Sequence, residues 1–198
     1  MVISRRNLLR AGGAGIAAAA ITVFGGVWLQ SVLDDDPPVD GEVLLDEPGI
    51  YQQPVEDVNG DVTGDRLPDV DLVDVDDRTV RLDDDTSRPM VVNLWFANCP
   101  PCQRELVDFA EVHAELGDQV RFVGVDPFDT VDTMLRFASE RGVTYELLRD
   151  PQREFTAAME VVAFPVTLFV DTDGRVVRQT GEIDADELRA AIDESFDI

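Results

Sequence analysis

The stretch from Met90 to Phe96 is apolar apart from Asn93, and three residues later the chain reads Cys99-Pro100-Pro101-Cys102. A continuous apolar run of this length suits a strand buried on both faces of a sheet. Proline fits the first turn of a helix, where its missing N–H costs nothing. Leu106, Phe109, Ala110 and His113 then recur at helical spacing, so a helix is expected over Pro101 to Leu116, stopped by Gly117. The chain is thereby committed to a central strand that turns directly into a helix, with two thiols at the turn.

The other elements follow the same alternation. A short hairpin is expected from Val70–Val75 and Thr79–Leu82 about Asp76-Asp77, and a second buried strand from Val120 to Val125. A helix over Val131–Arg141 ends at Gly142, a short strand covers Tyr145–Leu148, and a helical turn or two covers Gln152–Met159. Val166–Val170 and Val176–Thr180 form a hairpin about Asp173-Gly174, and an amphipathic helix closes the chain over Ala185–Phe196. Strands interleaved with helices and finished by a hairpin and a helix give an α/β fold, a central mixed β-sheet flanked by helices. No internal repeat is visible.

Cys99 and Cys102 are the only cysteines and His113 the only histidine among 198 residues. A bridge closing so short a loop restrains the unfolded chain little, which weakens a purely structural reading. A closed zinc site needs about four ligands, and this set supplies at most three. A redox-active disulfide is the stronger reading. Free N–H groups at the helix start favour a negative charge on the first sulfur. Cys99 is therefore expected to be exposed and attacking, and Cys102, one turn in, buried and resolving. Neither a metal nor an organic cofactor is expected.

All sixteen basic residues are arginine, set against 41 acids for a net charge of −25. A field of that sign repels nucleic acid and anionic lipid surfaces and keeps a domain soluble and monomeric. Arg5, Arg6 and Arg10 precede an uncharged stretch from Ala11 to Leu33, followed by Asp34, Asp35 and Asp36. Residues 1–33 read as an export signal or transmembrane anchor. As a helix the stretch would reach roughly 34 Å at about 1.5 Å per residue, enough to cross a bilayer. The charge asymmetry places the first residues in the cytoplasm and the rest of the chain outside. SRRNLL resembles a twin-arginine signal, with an ordinary export signal as the alternative, and the length of the stretch favours an uncleaved single-pass anchor over a cleaved signal that would leave the chain secreted. Residues 34–64 form an acidic, proline-rich linker, with Val43–Leu45 as a short apolar run that suits a sheet edge, and the folded domain is expected over 65–198.

VVNLWFANCPPCQRE, AFPVTLFVDTDGRVV and the intervening FVGVDPFDTVDTMLRFASERGVTYELLRD resemble, in that order, the strand-CPPC-helix block, the proline loop with its hairpin, and the extra strand-helix insert of the TlpA and ResA-like branch of the thioredoxin superfamily. The resemblance spans Asp65 to Asp193. It implies a thioredoxin-like fold and a membrane-tethered thiol-disulfide oxidoreductase. Pro165 is implied to be a cis proline facing the dithiol, with Phe164 before it offering its backbone to an extended client segment. Trp95 joins them as a candidate substrate-facing residue that shields the dithiol or belongs to the core. Asn93 stands where thioredoxins carry a buried aspartate, and Asn98 where the branch often carries an aromatic. Glu105, three residues after Cys102 on the same helical face, is the candidate proton acceptor, since an amide cannot take that proton.

His113 lies several turns from the cysteines and reads as a core or boundary residue. Asp171 to Gly174 lacks the glycine position of a calcium loop. Asp126 ends a central strand where α/β sites form and is a candidate neighbour of the dithiol. The expected partners are protein thiols and disulfides, such as apocytochrome c or another exported client, with a polytopic membrane thiol carrier as electron donor. A reductase is the leading expectation. A disulfide oxidase or isomerase, a thiol peroxidase and a tethered binding or chaperone module are the alternatives.

Overall fold

The structure is a computed structural model that describes residues 58–198. The expected export segment, most of the expected linker and the run Val43–Leu45 lie outside the described residues. Among the described residues no helix is long and apolar enough to cross a membrane.

Seven strands form one sheet: β1 (Leu72–Val73), β2 (Thr79–Val80), β3 (Met90–Leu94), β4 (Arg121–Asp126), β5 (Glu146–Arg149), β6 (Val166–Val170) and β7 (Val176–Thr180). Their spatial order is β2-β1-β5-β4-β3-β6-β7. β3, β4 and β5 run parallel, while β6 and β7 are antiparallel on one side and the β1–β2 hairpin is antiparallel on the other. The helices are α1 (Pro100–Leu116), α2 (Val131–Ser139), α3 (Glu154–Ala158) and α4 (Ala185–Phe196). The mixed α/β sheet expected from the alternation of elements is thus present.

Element ends differ from the sequence expectation where a local interaction competes. β3 stops at Leu94 because Phe96 turns its carbonyl to the Cys99 N–H at 3.2 Å. α2 stops at Ser139, and its last turn tightens as Arg141 and Gly142 donate to Ala138 and Ser139, three residues back. α3 begins at Glu154 because Arg153 has φ +57°, a left-handed conformation incompatible with a helix interior. A short 3₁₀ turn over Leu82–Asp84, not expected from the sequence, buries Leu82.

Alternate residues of the fully buried β3 feed two apolar layers. Val91 and Trp95 join α1, α2 and α4 through Leu106, Phe109, Met134, Leu188 and Ile192. Met90, Val92 and Leu94 join Phe155 and Met159 on the other face. That second layer also holds Val62, only 2% exposed. Residues 58–64, expected at the end of the linker, are docked on the domain. Gly60 donates to Glu160 O at 3.1 Å and Gly64 to Val176 O at 2.7 Å, while Gln179 Nε2 holds the Gly60 carbonyl at 2.9 Å. An apolar side chain with a bed to fill gains roughly 1.5–3 kcal/mol on burial, which favours this docking over an extended tether.

Gly124 lies opposite Asn93 in the β3–β4 register. A Cβ there would meet Trp95 Nε1 at 2.7 Å and Leu147 Cδ2 at 2.8 Å. The indole therefore lies against bare backbone, and Trp95 reaches its buried site only because residue 124 has no side chain. Gly124→Ala should cost about 1–3 kcal/mol by overpacking, measured by urea unfolding. Unchanged stability would show that the Trp95 layer can move aside.

Candidate active site

The site lies at the end of the sheet where β3 leaves for α1. Cys99 is the N-cap of α1, with extended backbone, and Pro100 and Pro101 occupy the first helical positions. Cys99 Sγ accepts the Cys102 backbone N–H at 3.3 Å, and the two cysteines form a disulfide with their Cα atoms 5.2 Å apart. Cys102 is fully buried, as expected. Cys99 is not exposed as expected: only 3% of its surface is accessible. The reason is packing, because the bridged sulfur belongs to the apolar layer of α1, and the half-buried rings of Phe96 and Phe164 pack against that layer.

The segment before Cys99 is pinned at one residue. Ala97 N–H donates to Asp129 Oδ2 at 2.6 Å, and its carbonyl accepts from Gln103 Nε2 at 2.9 Å. Asn98 is exposed. Phe96, Phe128 and Phe164 meet edge to face with centroids 5.1–5.6 Å apart. Phe128 is 53% exposed and forms the outer wall of this aromatic rim.

The Phe164–Pro165 peptide is cis, as the resemblance implied. The pairing of Leu94 with Val166 places Pro165 at the sheet end from which β3 runs to Cys99. The preceding loop is held by Asn59, whose Oδ1 accepts from Val162 and Ala163 N–H and whose Nδ2 donates to Ala163 O. Trp95 does not serve the substrate face. It is fully buried and stacked on Phe137 at 5.8 Å, so it has no surface to offer a client.

Glu105 is fully buried on the same stripe of α1 as Cys102, Leu106, Phe109 and Val112. Asn93 Nδ2 donates to Glu105 Oε1 at 2.8 Å and to Thr167 Oγ1 at 3.2 Å. Glu105 Oε2 and Asn93 Oδ1 have no partner among the described residues. Burial pushes the Glu105 carboxyl up to about 8, against the lowering pull of the Asn93 amide and the nearby Ile183 backbone N–H. It therefore stays protonated near neutrality. A cleft lined by Arg104, Asp108, Glu182 and Ile183 reaches Glu105 from the side of α4.

Asp126 is buried at the end of β4, its Oδ1 accepting the Phe128 and Asp129 N–H groups at 2.9 Å. It joins the site through the loop that carries Phe128 and Asp129. His113 lies in the last turn of α1, edge-on to Phe122 and Tyr145, roughly 20 Å along the helix from Cys99 at about 1.5 Å per residue. Asp171 accepts the Asp173 and Arg175 N–H groups, so it shapes the β6–β7 turn. No group of three or more metal-ligating side chains occurs among the described residues.

Asn59, Gln103, Phe128, Asp129 and Thr167 were not singled out by the sequence. Asn59 and Thr167 reach the site only through long-range pairing. Asp129, three residues beyond a strand end, gave a weak local signal as a loop-capping carboxylate.

The family described as AhpC/TSA matches residues 63–179. The thiol-disulfide oxidoreductase ResA of Geobacillus thermodenitrificans (strain NG80-2) is 29% identical over 114 residues, covering 57% of this chain and 66% of that protein. The chain thus spans slightly less than two thirds of that relative's length. Among solved structures, MTB DsbF in its mixed oxidized and reduced forms is 28% identical at a TM-score of 0.58, covering 63% of this chain and 93% of that one. The thioredoxin domain of a thiol-disulfide oxidoreductase from Bacteroides vulgatus, 21% identical, superposes at a TM-score of 0.61 over 68% of this chain and 98% of that one. The fold is thioredoxin-like.

A carboxyl raised to about 8 in the folded state binds a proton that the unfolded chain has already released above its ordinary range, so stability falls as pH rises through that window. Urea unfolding of the oxidised protein should show stability dropping between pH 5 and pH 8, by at most about 1.4 kcal/mol per pH unit for this group. In Glu105→Gln the drop should shrink to the smaller contribution of Asp126, which burial pushes up to about 7. Equal drops in the two proteins would contradict the buried, protonated carboxyl.

Proposed function

The chain belongs to the AhpC/TSA family, and on that premise we propose that it is a thiol-disulfide oxidoreductase acting on protein clients through Cys99 and Cys102. The observation that carries the reading is the placement of Cys99 Sγ at the N-cap of α1, accepting the Cys102 N–H. That position stabilises the negative charge of a Cys99 thiolate once the disulfide is reduced.

In the reductive direction, the Cys99 thiolate attacks one sulfur of a client disulfide and the other client sulfur leaves as thiolate. Cys102 loses its proton and attacks Cys99 Sγ. This breaks the mixed disulfide, frees the second client thiol and leaves the Cys99–Cys102 bridge. Glu105, on the same helical stripe as Cys102, is the proposed acceptor of the Cys102 proton when ionised. The aromatic rim of Phe96, Phe128 and Phe164 offers an apolar contact for the client, and the backbone at Phe164 offers pairing for an extended segment.

We take the reductive direction from the resemblance to the ResA-like branch, with an exported client such as apocytochrome c and a membrane thiol carrier resupplying electrons. Residues 1–33 support an extracytoplasmic placement through their arginines ahead of an uncharged stretch. Direction is decided by the midpoint potential. A value near about −270 mV favours a reductant, and one near about −120 mV an oxidant.

Insulin reduction in the presence of a dithiol donor tests the activity itself. Cys99→Ser should lower turnover to the uncatalysed rate, and Cys102→Ser should accumulate a client mixed disulfide that a reductant releases. Undiminished turnover in Cys99→Ser would overturn the assignment, and peroxide consumption dependent on Cys99 without protein disulfide exchange would replace it with a peroxidase.

A further inference from the structure

Ala97, two residues before Cys99, is held by a carboxylate from a different element. Asp129 Oδ2 accepts its N–H at 2.6 Å while Gln103 Nε2 donates to its carbonyl. Asp129 is in turn tied to the end of β4, because its own N–H donates to Asp126 Oδ1. The second Asp126 oxygen is buried and has no donor among the described residues. A carboxylate oxygen buried without a donor costs free energy, and a proton placed on it removes that cost while giving it something to donate.

We propose that Asp126 and Asp129 form a proton-sharing carboxyl pair that positions the Ala97–Asn98–Cys99 segment, with Asp129 as the positioning residue and Asp126 as the proton partner that holds it. Protonated Asp126 donates to the Asp129 carboxylate, and Asp129 is left with an oxygen aimed at Ala97. When the shared proton is lost to water, two carboxylates stand side by side. The half-buried Asp129 is the one free to move, since Asp126 is locked by two backbone N–H groups. Burial and the neighbouring carboxylate push Asp126 up to about 7, so the change falls near neutrality.

Arg149, opposite Asp126 in the β4–β5 register, donates Nη2 to Asp77 and keeps its Nε buried without a partner among the described residues. Asp150 donates its backbone N–H to the Asp126 carbonyl and commits its carboxylate to Phe155, Thr156 N–H and Thr156 Oγ1. Arg141, beyond α2, binds the Gln103 and Phe137 carbonyls. On β3, the neighbouring contact is the Trp95 N–H to Val125 O bond.

The proposal rests on the oxidoreductase reading only in the consequence it assigns to Cys99, and its test needs no client. Amide spectra of the oxidised full chain between pH 5 and pH 9 should show the Ala97 N–H moving with a midpoint near neutrality and losing exchange protection above it. Asp126→Asn supplies a permanent donor to Asp129, so Ala97 should stay bonded at every pH. In the reduced protein, the rate of Cys99 alkylation by iodoacetamide should show an inflection near neutrality besides that of the thiol, absent in Asp126→Asn. Asp129→Ala should alter the rate several-fold across the range; the Asn variant keeps the test open if the Ala variant does not fold. An Ala97 amide that ignores pH, or that moves equally in Asp126→Asn, overturns the pair. Alkylation profiles identical in all three proteins overturn its link to Cys99.

Discussion

Asn93 and Glu105 meet through a 2.8 Å hydrogen bond inside a layer built mainly of apolar side chains. One comes from the central strand β3 and the other from α1, so the bond ties the strand to the helix just beyond the turn that carries the disulfide. Breaking such a buried contact leaves the Glu105 carboxyl without its side-chain donor and the Asn93 amide with Thr167 alone, which is worse than never having placed them there. The strand-to-helix angle and the position of Cys102 depend on this pair staying together. No Lys or Arg partners Glu105 among the described residues, so burial favours its protonated form near neutrality. Protonation is therefore part of the architecture.

The rest of the site is assembled from strand ends that the sheet order brings side by side. β3 delivers the turn to Cys99, β4 delivers Asp126 and the Phe128–Asp129 loop, and β6 begins just after the cis Phe164–Pro165 peptide. Because β4 and β6 flank β3, each loop reaches the same edge without a long excursion. Asn59 adds a clamp from the segment ahead of the first strand, which fixes the backbone immediately before Phe164. The outcome is a disulfide whose sulfurs sit in the core layer while aromatic rings and a backbone loop face outward.

Much of this could be read in the sequence because it depends on local rules. The apolar run of β3, prolines at the start of α1, the helical recurrence of Leu106, Phe109 and Ala110, and the Asp173-Gly174 turn each announce themselves within a few residues. Glu105 was also visible, as an acid three residues after Cys102 on the same helical face. What could not be read depends on where the chain returns to itself. Trp95 is hidden only because Gly124 on the next strand leaves room for it, and Cys99 is covered because Phe164, distant in sequence, packs with Phe96 against its layer. Residues 58–64 look like tether in composition, yet Val62 finds an apolar bed that no local pattern reveals.

Glu105, buried and protonated on the same helical stripe as Cys102, is the proposed proton partner of the Cys102 thiol. The most direct test follows the 13C shift of the Glu105 side-chain carboxyl through a pH titration of the oxidised protein and again after reduction. The account predicts a midpoint near pH 8 with the disulfide intact, displaced once Cys102 is a thiol able to exchange protons with it. A midpoint in the ordinary glutamate range, or one that reduction leaves unmoved, would contradict it.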